Sequence, residues 1–325
     1  MYNQTETILE QYEIEMNQLI KGRGAYICET SEGKKLLTPF QGSKKRADFL
    51  KDFLERLNAS GFPAEQIYLN KEGESITEDE ATGERFLLKD YLEGVEMKTT
   101  SLDEMKQAIK LLASFHNHAQ QIITQMDETN IKNVSLYDVK SRHYKELIKV
   151  KNHIRTKHKK NEFERIYMEN YNNMLQGAKK SIDVLAGQEN ATKTDMFCHG
   201  DFNQHNVIFD GKQWKMIHFE SLVFSNSMGD LANFVRKMLE KNNWDKELGQ
   251  QLIQAYDAER KISKAEYETL YGLFLFPEKF WKVTNHYMSS HKAWISGRDI
   301  EKLKKVIEQE TQKAEFMEKL FSFFM

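Results

Sequence analysis

The chain is poor in the residues that mark whole classes of protein. Cysteine occurs only as Cys28 and Cys198 in 325 residues, too few and too far apart to frame a disulfide-stapled fold. Two buried thiols in a reducing compartment are the expectation. The three prolines, Pro39, Pro63 and Pro277, and the lack of any Gly/Ser-rich stretch between large blocks argue against a long flexible linker. Neither sign of charge dominates. A net charge of −2 gives no general basis for binding nucleic acid or an anionic membrane. A long hydrophobic run is also missing, since the most apolar stretch, LYGLFLFPEKFW, is too short and too interrupted to span a bilayer. The start, MYNQTETILEQYEIEM, has neither the basic nor the apolar region of a signal peptide. A cytosolic-type chain is expected, long enough for two domains sharing an interface and 40% hydrophobic, enough for a core.

The pattern changes character once. AYICET (25–30) and KLLT (35–38) are short β-type runs, and Ser31-Glu32-Gly33 between them predicts a hairpin turn. Ser43 then caps a helix with Phe49, Phe53, Leu54 and Leu57 on one face, stopping near Ala59-Ser60-Gly61. QIYLN and RFLLKDY predict further strands around a solvated insert, KEGESITEDEATGE. From Ser101, where SLDE forms a capping box, the apolar spacing becomes helical and stays so over 136–185 and after Gly229. The expected organisation is a sheet lobe over 1–93 and a mostly helical lobe over 94–325. One small hairpin, NVIF and KMIH around Asp210-Gly211, interrupts the second lobe.

Just before that hairpin stands CHGDFNQHN, the densest chemical signal in the chain. Asp201 beside a glycine, with Asn206 five residues on, matches the needs of phosphoryl transfer: a carboxylate to accept the attacking hydroxyl's proton, and an amide oxygen to hold a phosphate-bridging metal. Such a site needs a second metal ligand, usually a carboxylate. Twelve residues after Asn206 the chain instead offers His218, and neutral imidazole is a poor ligand for the hard magnesium ion.

With GRGAYICETSEGKKLL, LLKDYLEG, LLASFH, CHGDFNQHNVIF, GDLANFVRKMLEKNNWD and FLFPEKFWKV, the chain resembles the aminoglycoside-phosphotransferase and choline-kinase-like group. It is most similar within that group to the CotS family of spore-coat kinase-like proteins, nearly end to end. The resemblance implies an α+β, two-lobed protein-kinase-like fold with a catalytic-loop-like segment at 198–220. It places Asp201 at the catalytic base, His199 at the loop's structural histidine and Asn206 at the metal-binding asparagine. Tyr91, Leu92 and Glu93 would form the hinge facing an adenine. Asp230 would be a buried aspartate bracing the loop.

Three departures set this chain apart from that pattern. The metal-site I-D-F is Ile217-His218-Phe219. Thr38 stands where a lysine would hold nucleotide phosphates, and bringing Lys34 or Lys35 there requires a register slip that turns the side chains to the other face. Of a glycine-rich phosphate loop only Gly22 and Gly24 remain. His218 could ligate a softer ion such as manganese or zinc, mark lost metal dependence, or be a hydrogen-bonded pocket residue. Glu220, on the same side of a β-type run, could supply the missing carboxylate or be an ordinary polar residue. Asp52 and Glu55 are both candidates for the helix's acidic partner of a phosphate lysine.

The resulting expectation is a kinase-like spore-coat protein with a degenerate nucleotide and metal site, acting structurally or by binding other coat proteins. ATP and magnesium are the cofactors the resemblance implies, their binding weakened or lost. The alternative is an active ATP-dependent phosphotransferase acting on a hydroxyl of a small molecule, a sugar or a coat protein. Synthesis in the cytoplasm and a place in the spore coat follow from the resemblance alone. The basic run KELIKVKNHIRTKHKKNEFER is expected as a solvated helical face rather than a nucleic-acid site.

Overall fold

A computed structural model describes residues 7–22, 24–126, 131–188, 195–289 and 297–324. By its internal packing the chain forms two compact units: 1–98 with 111–133 and 196–224, and 99–110 with 134–195 and 225–325. The segment 198–220, which resembles a catalytic loop, belongs to the first of them.

The first unit is built on an antiparallel sheet. Strands β1 (Met16–Lys21), β2 (Tyr26–Thr30) and β3 (Gly33–Pro39) are followed by β4 (Ile67–Tyr68), β5 (Thr77–Glu78) and β6 (Arg85–Asp90) in the order β1-β2-β3-β6-β4, with β5 also on β6. The short β7 (Val95–Glu96) pairs apart from this sheet, with residues 208–209. The β2–β3 turn falls where Ser31-Glu32-Gly33 predicted it, with Gly33 at φ +100°, a backbone conformation that favours glycine. Helix α1 (Lys44–Ala59) starts where Ser43 Oγ accepts the Arg46 amide hydrogen, and Gly61 lies just past its end at φ +97°. QIYLN contributes only the two-residue β4.

Alternation along β3 and β6 gives the sheet two different faces. Leu37, Phe86 and Leu88 join Cys28, Leu19, Ile8, Leu9 and Tyr12 in one buried cluster. The other face carries Leu36, Thr38, Leu87 and Lys89, because Leu36 lies opposite Lys89 and Thr38 opposite Leu87 in the β3–β6 register. A second, aromatic core explains why distant segments join this unit. Phe53 of α1 packs edge-on against Phe115 and Phe197 at 6.3 and 5.3 Å, and Phe115 meets Phe219 at 5.7 Å. Four rings from four separate stretches of sequence thereby converge.

The second unit is mainly helical. Its core joins α3 (Leu136–Thr156), α4 (Glu162–Gln188), α8 (Glu278–Ser289) and α9 (Gly297–Glu308) through Leu147, Ile154, Phe163, Tyr167, Phe280 and Leu303. Tyr167 and Phe280 stack at 5.2 Å, and the Tyr167 hydroxyl donates to the Leu147 carbonyl at 2.8 Å. Helices α5 (Met228–Lys241), α6 (Lys246–Glu259), α7 (Lys264–Leu275) and α10 (Glu310–Phe324) complete the unit, with α2 (Leu102–Ile122) divided between the two units. On the basic stretch, Lys157 pairs with buried Glu164 and Glu146 accepts the Trp281 indole hydrogen. No helix among the described residues is long and apolar enough to cross a membrane.

Candidate functional site

Strand β8 (Asp195–Cys198) leads directly into the HGD loop. His199 is fully buried, and its two nitrogens have distinct duties. Nδ1 accepts the Asp201 amide hydrogen at 3.3 Å, so Nε2 carries the ring proton and donates to the Ile217 carbonyl at 3.0 Å. Asn203 and Asn206 both donate their side-chain amides to the Asp201 carbonyl, at 2.8 and 2.9 Å. Asn206 is buried and Asp201 is exposed. The loop thus spends the backbone of Asp201 on its own rigidity, while the residue itself is exposed. With its nitrogen committed, the atom Asn206 has to offer a ligand is Oδ1.

The hairpin that follows, β9 (Val207–Phe209) and β10 (Trp214–Met216), ends two residues before His218. The sequence places a β-type run through 215–218, but the chain turns out of the strand after Met216. His218 adopts φ 67° and ψ 60°, and Phe219, Glu220 and Ser221 form a single 3-10 turn. Holding a residue other than glycine in that left-handed region costs on the order of 1 kcal/mol. Glu220 does come close to His218, at 3.9 Å from the ring, but the 3-10 turn rather than β alternation brings it there.

Side chains from early in the sequence fix this turn from several directions. Arg46 of α1 donates through Nη2 to the carbonyls of Glu220 (3.0 Å) and Leu222 (2.7 Å). Glu65, six residues beyond α1, accepts the amide hydrogens of His218 and Phe219 on one carboxylate oxygen, both at 3.2 Å. The turn also lies so close to Gly200 that a Cβ there would sit 2.1 Å from the Ser221 carbonyl oxygen.

At the centre is Lys89 of β6, 1% exposed, which the sequence reading missed. Its ammonium donates to Glu65 at 2.9 Å, forms a short ion pair with Glu220, and lies 3.3 Å from His218 Nδ1. Three hydrogens meet three acceptors. Burial alone would lower the lysine's pKa, but Glu65 and Glu220 outweigh it and hold the ammonium above its ordinary range. Burial alone would likewise raise the Glu220 carboxyl, but Lys89 outweighs it and drives it well below the usual carboxylate range. The signal available in the sequence was a lysine in phase with Leu87 inside RFLLKDY, a strand too apolar to leave a charge unpaired.

Thr38 lies on the same sheet face as Lys89, one register step away. The face that lacks a lysine at Thr38 therefore receives one from the neighbouring strand. Lys35 points to the other face, where it meets Tyr68 and Asp90, and exposed Lys34 pairs with Glu93. Asp52 and Glu55 pair within α1, with Arg56 and Lys51. The acid that meets the buried lysine is Glu65, a residue the sequence pattern gives no reason to single out.

Magnesium does not fit this donor set as arranged. The carboxylate beside His218 is Glu220, and it already holds an ammonium ion that a divalent cation would have to displace. At the hinge-like stretch the Tyr91 amide is committed to the Lys34 carbonyl at 3.3 Å, while Leu92 is half-buried and Glu93 exposed. In the β1–β2 turn Gly22 donates its amide to the Ala25 carbonyl at 2.9 Å, so that group serves the turn itself. Asp230 is buried in the first turn of α5.

A sheet-bearing unit that presents an HGD-x4-N loop, together with a helical unit, defines a kinase-like phosphotransferase fold. Among solved structures, an aminoglycoside phosphotransferase from Alicyclobacillus acidocaldarius subsp. acidocaldarius DSM 446 is similar at a TM-score of 0.82 and 17% identity, covering 98% of this chain and 96% of that one. Spectinomycin phosphotransferase in complex with ADP and spectinomycin is similar at 0.67 and 14% identity, covering 95% and 97%. Both establish the fold. The chain belongs to the family described as "Spore coat putative kinase YutH", whose pattern matches residues 5–320. Spore coat protein S of Bacillus subtilis (strain 168) is 23% identical over 309 residues, 92% of this chain and 87% of that protein.

Proposed function

We propose that this chain serves the spore coat as a binding or structural protein built on a kinase fold, with a nucleotide and metal site that has lost metal-dependent phosphoryl transfer. The observation that carries this reading is the ion pair between Lys89 and Glu220. Phosphoryl transfer is largely charge neutralisation and positioning, and two of its usual contributors are replaced here. Thr38 supplies no cation, and the carboxylate that could complement His218 is occupied by a lysine. By family membership the partners are other coat proteins.

One observation favours the second reading, an active phosphotransferase for a hydroxyl of a small molecule, a sugar or a coat protein. The loop still keeps Asp201 exposed and leaves Asn206 Oδ1 as the atom to meet a ligand. Asp201→Ala separates the two readings, because the side chain is exposed and its backbone contacts survive the change. In spores whose only copy carries Asp201→Ala, incorporation of the protein into the coat should match that of the natural chain. Metal-dependent nucleotide binding by the natural chain, with phosphoryl transfer abolished by Asp201→Ala and the fold unchanged, would favour the enzymatic reading.

A further inference from the structure

We infer that the Lys89 ammonium stands in for a divalent cation in this chain, and that Glu65, Glu220 and His218 form a latent transition-metal site which Lys89 keeps closed. This rests on the reading that the site does not use a metal–nucleotide complex, and it adds the physical cause.

The geometry is that of a coordination shell around a nitrogen. Two carboxylate oxygens, from Glu65 and Glu220, and one imidazole nitrogen, His218 Nδ1, converge on Nζ. That is a ligand set of mixed oxygen and nitrogen donors, suited to manganese or zinc rather than magnesium. The donors are already bound to the surrounding structure. Glu65 also accepts the His218 and Phe219 amides, and the Glu220 backbone is held by Arg46. A metal bonds such oxygen and nitrogen donors at about 2.0–2.2 Å, so Glu65 would need to close in by about 0.8 Å and His218 by about 1.2 Å to grip an ion.

Charge and tethering decide which cation wins. One ammonium balances only one of the two carboxylates, whereas a divalent ion would balance both. The ammonium nevertheless holds the site in the natural chain, because it is attached to β6 and gives up no translational freedom on binding. It also performs the metal's mechanical duty, tying the 218–221 turn to the sheet.

The test is Lys89→Met, titrated with Mn²⁺ in the absence of nucleotide and followed by calorimetry and by the electron paramagnetic resonance signal of the ion. The variant should bind Mn²⁺ about tenfold or more tighter than the natural chain. Adding Glu220→Gln should remove the gain, and His218→Ala should reduce it. If Lys89→Met alone folds poorly, Mn²⁺ should raise its folded yield and unfolding midpoint while leaving the natural chain unmoved. The inference is overturned if Mn²⁺ neither binds nor rescues Lys89→Met, if Glu220→Gln leaves the gain intact, or if the natural chain binds the ion equally well. Metal-dependent ATP binding by the natural chain would sink the functional reading itself. A lysine lock that fails while ATP is still refused would sink only the present inference.

Discussion

Lys89→Met is expected to lose about 3–5 kcal/mol of folding stability, read as a lower urea midpoint for the sheet-bearing unit. Methionine fits the space of the lysine stem, so little of the loss should come from packing. It comes from what remains behind: Glu65, 3% exposed, and Glu220 would face each other without a cation. That mechanism makes a second forecast. Combining Lys89→Met with Glu65→Gln and Glu220→Gln should recover much of the loss, because replacing a whole buried ionic cluster costs far less than orphaning part of it. Glutamine at 65 keeps an oxygen to accept the His218 and Phe219 amides. If the triple variant is as unstable as the single one, the lysine matters for its shape and not for its charge.

Gly200→Ala should cost about 3 kcal/mol or more, from two independent sources. Gly200 sits at φ +78°, which disfavours any side chain, and its added Cβ would come within 2.1 Å of the Ser221 carbonyl oxygen. That oxygen cannot easily move aside, since Arg46 holds the carbonyls of Glu220 and Leu222 on either side of it. Gly211 provides the comparison: it lies at φ +92°, but a Cβ added there would meet nothing within 4 Å. Gly211→Ala should therefore cost only on the order of 1 kcal/mol, the conformational part alone. Equal losses in the two variants, measured by chemical denaturation, would mean that the close approach of the 218–221 turn contributes nothing.

These two residues also mark how far the sequence can be read. The β2–β3 hairpin and α1 are legible because Ser31-Glu32-Gly33, Ser43 and Gly61 act locally, within a few residues of the backbone they shape. β1 is not, for only Leu19 of its six residues is buried and the strand has no alternating pattern to reveal it. HGD-x4-N carries the resemblance to a phosphoryl-transfer loop, and Thr38 and His218 can be recognised as departures from that pattern. What answers those departures cannot be seen. Lys89 acquires its meaning from Glu65 and Glu220, 24 and 131 residues away, and pairings at that range leave no trace in spacing or periodicity. Lys215, Met216 and Ile217 look β-like and predict a strand running on to His218, whereas the backbone leaves β10 at Met216 under the pull of Glu65 and Arg46. Long-range hydrogen bonds override local propensity there.

The most direct test is a calorimetric titration of the natural chain with ATP, alone and with Mg²⁺ or Mn²⁺, beside His218→Asp. With the Lys89 ammonium closing the site, no metal-dependent ATP binding should appear in the natural chain, and one added aspartate should restore little while Lys89 still holds Glu220. Tight, metal-dependent binding by the natural chain would contradict the account and make this fold a working kinase with an unusual ligand set.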